Sequence, residues 1–208
     1  MNGPEQLCTW YLRLNGYLTI TNFHEHDRHK TIGEIDVIGV RFPHSHELDL
    51  KDDVALLKIP PGKIDVVLVE AEKGDINEQQ NPWKFRTKEA LEYAIRRIGI
   101  LPCEELQKAC TMLHENRCFT RGEVSLRAVC CGRSVDSGLE KQGITCLEWA
   151  KILAFIQNRF QNNAKLKAQH EQWDWFGKYL WERLADSSSP NEAEFFSGWE
   201  SFIREHSL

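Results

Sequence analysis

Two strand-like runs in this chain carry acids where a sheet interior would ordinarily carry none, and that pattern constrains the fold more than any other feature. Ile64-Asp65-Val66-Val67-Leu68-Val69-Glu70-Ala71-Glu72 is apolar on both faces until its end, as a central strand covered by helices on both sides must be. Glu70 and Glu72 then emerge together on one face. In Gly33-Glu34-Ile35-Asp36-Val37-Ile38-Gly39-Val40, alternation puts Glu34 and Asp36 on one face and Ile35 and Val37 on the other. A buried carboxylate without a partner is costly, and a divalent cation is a natural partner for several at once.

The remaining periodicity sorts the 208 residues into elements around these two strands. Leu7, Trp10, Tyr11 and Leu14 recur at helical spacing between Pro4 and Asn15, and Gly16 ends that helix. Strands are expected over Tyr17–Phe23, Gly33–Arg41, Ile64–Glu72 and Glu123–Cys131, with a further short strand available at Val54–Ile59. Pro60-Pro61-Gly62 closes the charged segment between the second and third strands, which predicts an antiparallel pair joined by a long loop. Thr87 caps a helix that ends at Gly99, and Pro102 starts another reaching about Glu115. The strand at Glu123–Cys131 then follows a helical crossover and should run parallel to Ile64–Glu72.

Beyond Gly132 the pattern is helical. Thr145 and Glu148 have capping-box spacing, with Ile144 and Trp149 as its hydrophobic staple, and Ser189-Pro190-Asn191-Glu192 repeats the signature. The sequence thus reads as α/β, a mixed sheet flanked by helices over residues 1–132, with an all-helical extension over 133–208.

Bulk properties narrow the function classes. No apolar run approaches the roughly 20 residues a bilayer requires, and the opening MNGPEQLCTW has no basic segment leading into an apolar one, so a cytoplasmic location is expected. The seven cysteines contain no CxxC pair and are expected to be buried, reduced thiols. His24, His26 and His29, with His44 and His46, lack the spacing and nearby cysteines of a zinc site and are read as polar loop residues beside the cleft. A net charge of −5 runs against the basic footprint usual for nucleic-acid binding, although a carboxylate-rich cation site contributes to it.

The order of residues over the first 73 positions resembles the PD-(D/E)xK nuclease superfamily, the restriction-endonuclease-like fold, and in particular its small bacterial and archaeal resolvase-like members. The resemblance rests on Glu5 in the first helix, then Gly16-Tyr17, Asn22, the basic Arg28/His29/Lys30, Gly33-Glu34-Ile35-Asp36 and Val69-Glu70-Ala71-Glu72. It implies Asp36, Glu70 and Glu72 as catalytic and metal-binding residues, with Glu5, Glu34 and Lys73 in support. It implies Mg²⁺ as cofactor, with Mn²⁺ able to substitute, and DNA as substrate in restriction, repair or defence. Glu72 departs from the family, which most often has lysine there. Lys73 sits one residue on, and a one-residue step turns it to the opposite face, leaving Lys30, Lys58 and Lys63 as other sources of a cation. Arg28, Lys30, Arg86 and Lys88 are the expected nucleic-acid contacts. The alternative is a catalytically inactive module of the same fold that binds nucleic acid or a protein.

The last 60 residues hold five of the seven tryptophans, from Trp149 to Trp199. The expected helix Lys165–Ala185 is aromatic on more than one side, with Trp173, Trp175, Tyr179 and Trp181. A surface of that kind predicts a homodimer or partner contact.

Overall fold

The computed structural model describes residues 2–27, 30–45, 54–84, 86–164, 174–185 and 191–206. The first helix, α1 (Gly3–Leu14), forms where Asn2 accepts the Glu5 backbone N–H while the Glu5 carboxylate reaches back to Asn2, a complete capping box. After it come β1 (Leu18–Asp27), β2 (Lys30–Arg41), the short α2 (Val54–Leu57) and β3 (Ile64–Ala71). Next are α3 (Lys88–Ile98), α4 (Cys103–Asn116), β4 (Cys118–Arg121) and β5 (Val124–Gly132). The chain closes with α5 (Ser137–Lys141), β6 (Thr145–Glu148), α6 (Trp149–Asn162), α7 (Trp175–Leu184) and α8 (Glu192–His206).

The described strands build a six-stranded mixed sheet in the order β1-β2-β3-β5-β4, with β6 also pairing β5. β2 and β3 are antiparallel, and β3 and β5 are parallel from Ile64↔Val124 to Ala71↔Cys131. Both relations are those the hydrophobic runs predict. Apolar clusters cover the two faces of the sheet. Val37, Val67, Val69 and Val129 pack under α1, α6, α7 and α8. Ile38, Val66, Leu68, Leu126 and Ala128 pack under α3 and α4. Gly39 has to be glycine: a Cβ there would lie 2.9 Å from the Val67 side chain and 3.1 Å from Tyr17, with no room to shift in a packed interior.

Several expectations are corrected. Val54–Leu57 is a helical turn, not a strand. Thr145–Glu148 is a strand that adds to the sheet, and α6 starts at Trp149 with no side-chain cap from Glu148. Residues 133–208 are therefore not all helical, and the sheet crosses the boundary drawn at 132. The Lys165–Ala185 helix is described only as α7, since residues 165–173, Trp173 among them, lie outside the described residues, as do Ser189 and Pro190. Asn191 nevertheless accepts the N–H groups of Ala193 and Glu194. His24 and His26 lie in β1, not in a loop. Cys8, Cys110, Cys130 and Cys131 are buried free thiols, whereas Cys103 and Cys118 are exposed.

One polar group sits deep in the sheet. Asp65, fully buried, accepts both Nε (2.9 Å) and Nη2 (2.6 Å) of Arg127 and the Tyr17 hydroxyl at 2.6 Å. Arg127 also donates to the Leu57 carbonyl and to Thr145. It thereby ties β3, β5, α2 and β6 together with every charge partnered, the condition for burying ions.

Candidate functional site

The β2–β3 ladder stops at Val37↔Val69, yet both strands continue. β2 runs back to Lys30 on β1, and β3 runs on to Ala71 on β5. The sheet forks at that point, with Asp36 and Glu70 the first residue on each arm. Glu34 and Glu72 are each two residues further out. Opposite Asp36 in β1, Asn22 takes a positive φ of 52°, a conformation uncommon outside glycine. The pair Asn22/Asp36 is missing from the β1–β2 register, which also shifts between Glu25 and His26. The local twist explains why Ile35, which strict alternation would place with Val37, packs instead with Ile38 on the α3/α4 face.

That twist decides where the acids go. Asp36 closes the fork by accepting the Ala71 N–H on Oδ2 at 2.8 Å. Burial, and then the neighbouring charges of Glu5, Glu34 and Glu72, push its carboxyl up to about 6, partly offset by the Ala71 hydrogen bond. Glu5 is itself raised, chiefly by burial, and its carboxylate is engaged by Asn2 in the α1 cap. Glu34 is exposed, with its carboxylate 3.8 Å from His24 Nδ1. Glu72 is exposed, and its backbone is pinned by N–H to the Cys131 carbonyl (2.8 Å) and by its own carbonyl accepting Trp149 Nε1 (2.9 Å).

Glu70 takes the other side. It continues the face of Val66 and Leu68, bears on the thiol of Cys130 there, and is buried in an ion pair with Arg86. Arg86 Nη2 also donates to the Glu34 carbonyl, and the guanidinium lies 5.7 Å over the Trp83 ring. Only 8% of the Arg86 side chain is exposed, so it turns inward instead of presenting a phosphate contact. Glu5, Glu34 and Glu72 thus all bear on Asp36, while Glu70 is drawn off by an arginine. Among the described residues, no three His, Cys, Asp or Glu side chains converge closely enough to cage a metal ion.

Two other expected cations are also engaged. Lys88 pairs with Glu115 at 3.4 Å and Lys73 with Glu200. Lys58 bonds Glu140 at 3.0 Å and Lys63 the Gly122 carbonyl, both away from the fork. Lys30 opens β2 opposite Asp27, and Arg28 lies outside the described residues. Sequence reasoning placed Arg86 on the surface because a buried cation can be foreseen only once its partner's direction is known. It also missed a cavity of 380 Å³ beside the fork, where Ala71, Glu72 and Lys73 meet the start of α1 and one side of α8. Nothing in the spacing of Gly3, Phe196 and Trp199 brings those segments together.

In the aromatic C-terminal part, Tyr179 is buried, its hydroxyl donating to the Phe195 carbonyl, while Trp175 remains 47% exposed with Lys178 against its ring. No described helix is long and apolar enough to cross a membrane. Comparison of the chain with protein-family models, with curated proteins and with solved structures returns no match.

Proposed function

We propose that this chain is a divalent-cation-dependent phosphodiesterase of the PD-(D/E)xK type, with a restriction-endonuclease-like core, acting on DNA in restriction, repair or defence. The observation that carries the reading is the fork at Val37↔Val69, which sets Asp36 in its mouth among Glu5, Glu34 and Glu72. Mg²⁺ is commonly held by one or two carboxylates, the rest of its shell being water and substrate phosphate. Asp36, raised by burial and then by the acids around it, and ionised above about 6, fits that demand, and Glu72 on the facing arm is the second candidate ligand. Glu70, the ligand expected from the motif, does not fit, because Arg86 already neutralises it. When bound, the ion would lower the pKa of a water and neutralise phosphate oxygens. Asp36 orients through its Ala71 hydrogen bond, and Glu72, exposed, is available to take a proton from water.

The test is nicking of supercoiled plasmid by the wild type, Asp36→Asn and Glu72→Gln with Mg²⁺, with Mn²⁺ and with EDTA. Cleavage should need the ion and vanish in Asp36→Asn. No nicking by the wild type with either ion overturns the reading. The second reading, a non-catalytic module that binds nucleic acid or a protein, is favoured by the Arg86–Glu70 pair, with no three-carboxylate cage found among the described residues. It predicts DNA retardation in a gel with no cut strand.

A further inference from the structure

We propose that Trp149 is a positioning residue for Glu72, holding the backbone of that acid so that its carboxylate keeps its place at the fork. The inference rests on the reading above, in which Glu72 is the second candidate ligand beside Asp36. It begins where β3 leaves the sheet. The Glu72 N–H still donates to the Cys131 carbonyl of β5 at 2.8 Å. In a regular parallel ladder the Glu72 carbonyl would then accept the N–H of Arg133, two residues beyond Cys131. Arg133 instead donates to the Gly74 carbonyl at 2.9 Å. The indole N–H of Trp149 takes the vacated acceptor, also at 2.9 Å.

That exchange matters because little else holds Glu72. It lies one residue past the end of β3, its side chain is exposed, and among the described residues its carboxylate accepts no hydrogen bond. The peptide groups on both sides of its Cα are tied, one to β5 and one to Trp149. Its two soft dihedrals are thereby fixed, and the Cα–Cβ direction is set without any contact of the side chain itself. Trp149 is in turn firmly placed. It directly follows β6, whose register on β5 runs to Gly132↔Glu148. Its ring is fully buried and meets Phe196 edge-on at 5.7 Å. A ligand held by such surroundings loses less freedom when an ion binds.

The neighbouring ion pair is the weaker anchor. Lys73 ties the next residue to Glu200 of α8, but both side chains are more than half exposed, and pairs in that setting contribute little. Satisfaction of a buried indole is the plainer account of the Trp149 bond, since Trp83 likewise donates to the Val129 carbonyl at 3.2 Å. Val129, however, sits inside β5 with β3 on one side and β6 on the other, whereas Glu72 stands past the end of its strand. Losing the Trp83 donor leaves Val129 in its ladder. Losing the Trp149 donor frees a strand end that carries a candidate ligand.

The experiment measures Mn²⁺ binding to the full chain by electron paramagnetic resonance, the site being identified by the loss of binding in Asp36→Asn. Trp149→Phe removes the donor and should weaken binding about three- to tenfold, the value of one hydrogen bond. Should that variant fail to fold, benzothienylalanine at position 149 keeps the shape of the indole, lacks its N–H and should give the same loss. A cycle with Glu72→Gln separates positioning from general loosening: once the carboxylate is gone, removing the donor should cost nothing further. Undiminished binding without the N–H, or an equal loss with and without the Glu72 carboxylate, overturns the positioning role, while wild-type binding and nicking keep the reading above. Coupling of Trp149 to Glu72 in Mn²⁺ binding, with no nicking, sinks the phosphodiesterase reading alone. A wild type that binds no Mn²⁺, or binds it no better than Asp36→Asn, sinks both.

Discussion

Replacing Asp36 by Asn should stabilise the protein in the absence of metal, and by an amount that depends on pH. Burial and three acidic neighbours raise this carboxyl from its ordinary 3.8 to about 6. A raised carboxyl means that the folded chain holds a proton the unfolded chain has already released. Stability therefore falls as pH climbs from about 4 through 6, and the whole penalty stands above that window. At ~1.36 kcal/mol for each tenfold shift in proton affinity, the penalty is at most about 3 kcal/mol. The group is only half-buried, so solvent screening reduces the figure to about 1–2 kcal/mol. Asparagine cannot ionise and still offers an oxygen to the Ala71 N–H. In EDTA at pH 8 the variant should melt roughly 3–6 °C above the wild type, with the gap closing by pH 4. Calorimetry across that range checks it. A gap that is the same at pH 4 and pH 8, or a variant that is less stable at pH 8, would mean that the fork does not crowd its charges as described.

The other expectations are tested by similar means. Arg86→Ala strands Glu70 as a buried, unpaired charge and should cost about 3–5 kcal/mol; the double change Arg86→Met/Glu70→Met should recover most of that in urea denaturation. Asp65→Asn leaves Arg127 without its counter-ion and should destabilise by a similar ~3–5 kcal/mol, whereas Tyr17→Phe, which removes one hydrogen bond, should cost about 1 kcal/mol. Mg²⁺ at millimolar concentration should raise the wild-type melting temperature and leave Asp36→Asn nearly unmoved; equal gains would place the ion elsewhere. Should α7 carry a dimer contact, Trp175→Ser will shift the mass seen by light scattering, while a monomeric wild type removes that expectation.

What the sequence made legible was what long hydrophobic runs encode. β2, β3 and β5 announce themselves by eight or more residues of β-branched and apolar character, and the lengths of their connections dictate antiparallel and then parallel pairing. β4 and β6 are four residues each, too short for a period of two to be told from chance, and Thr145 with Glu148 mimics a helix start. The candidate site was half legible for a related reason. Alternation put Glu34 with Asp36 and Glu70 with Glu72, but it assumes a regular strand, and the positive φ at Asn22 interrupts the pairing at Asp36. Arg86 claims Glu70 from sixteen positions away, through a fold that spacing alone does not supply.

The packing of α1 also bears on how the chain is made. Its tryptophan, Trp10, bonds Asp174, its last carbonyl accepts Arg159, and its first turn lies against Trp199. On the ribosome that helix emerges well before α6, α7 and α8, so the side of it that they cover waits for them while β2 and β3 are already present to cover the other. A 12-residue helix is marginal by itself in water, so the part of its apolar surface that faces the C-terminal helices stays uncovered until they are made. Holdase chaperones should bind α1 on that side, and release should coincide with the appearance of α8.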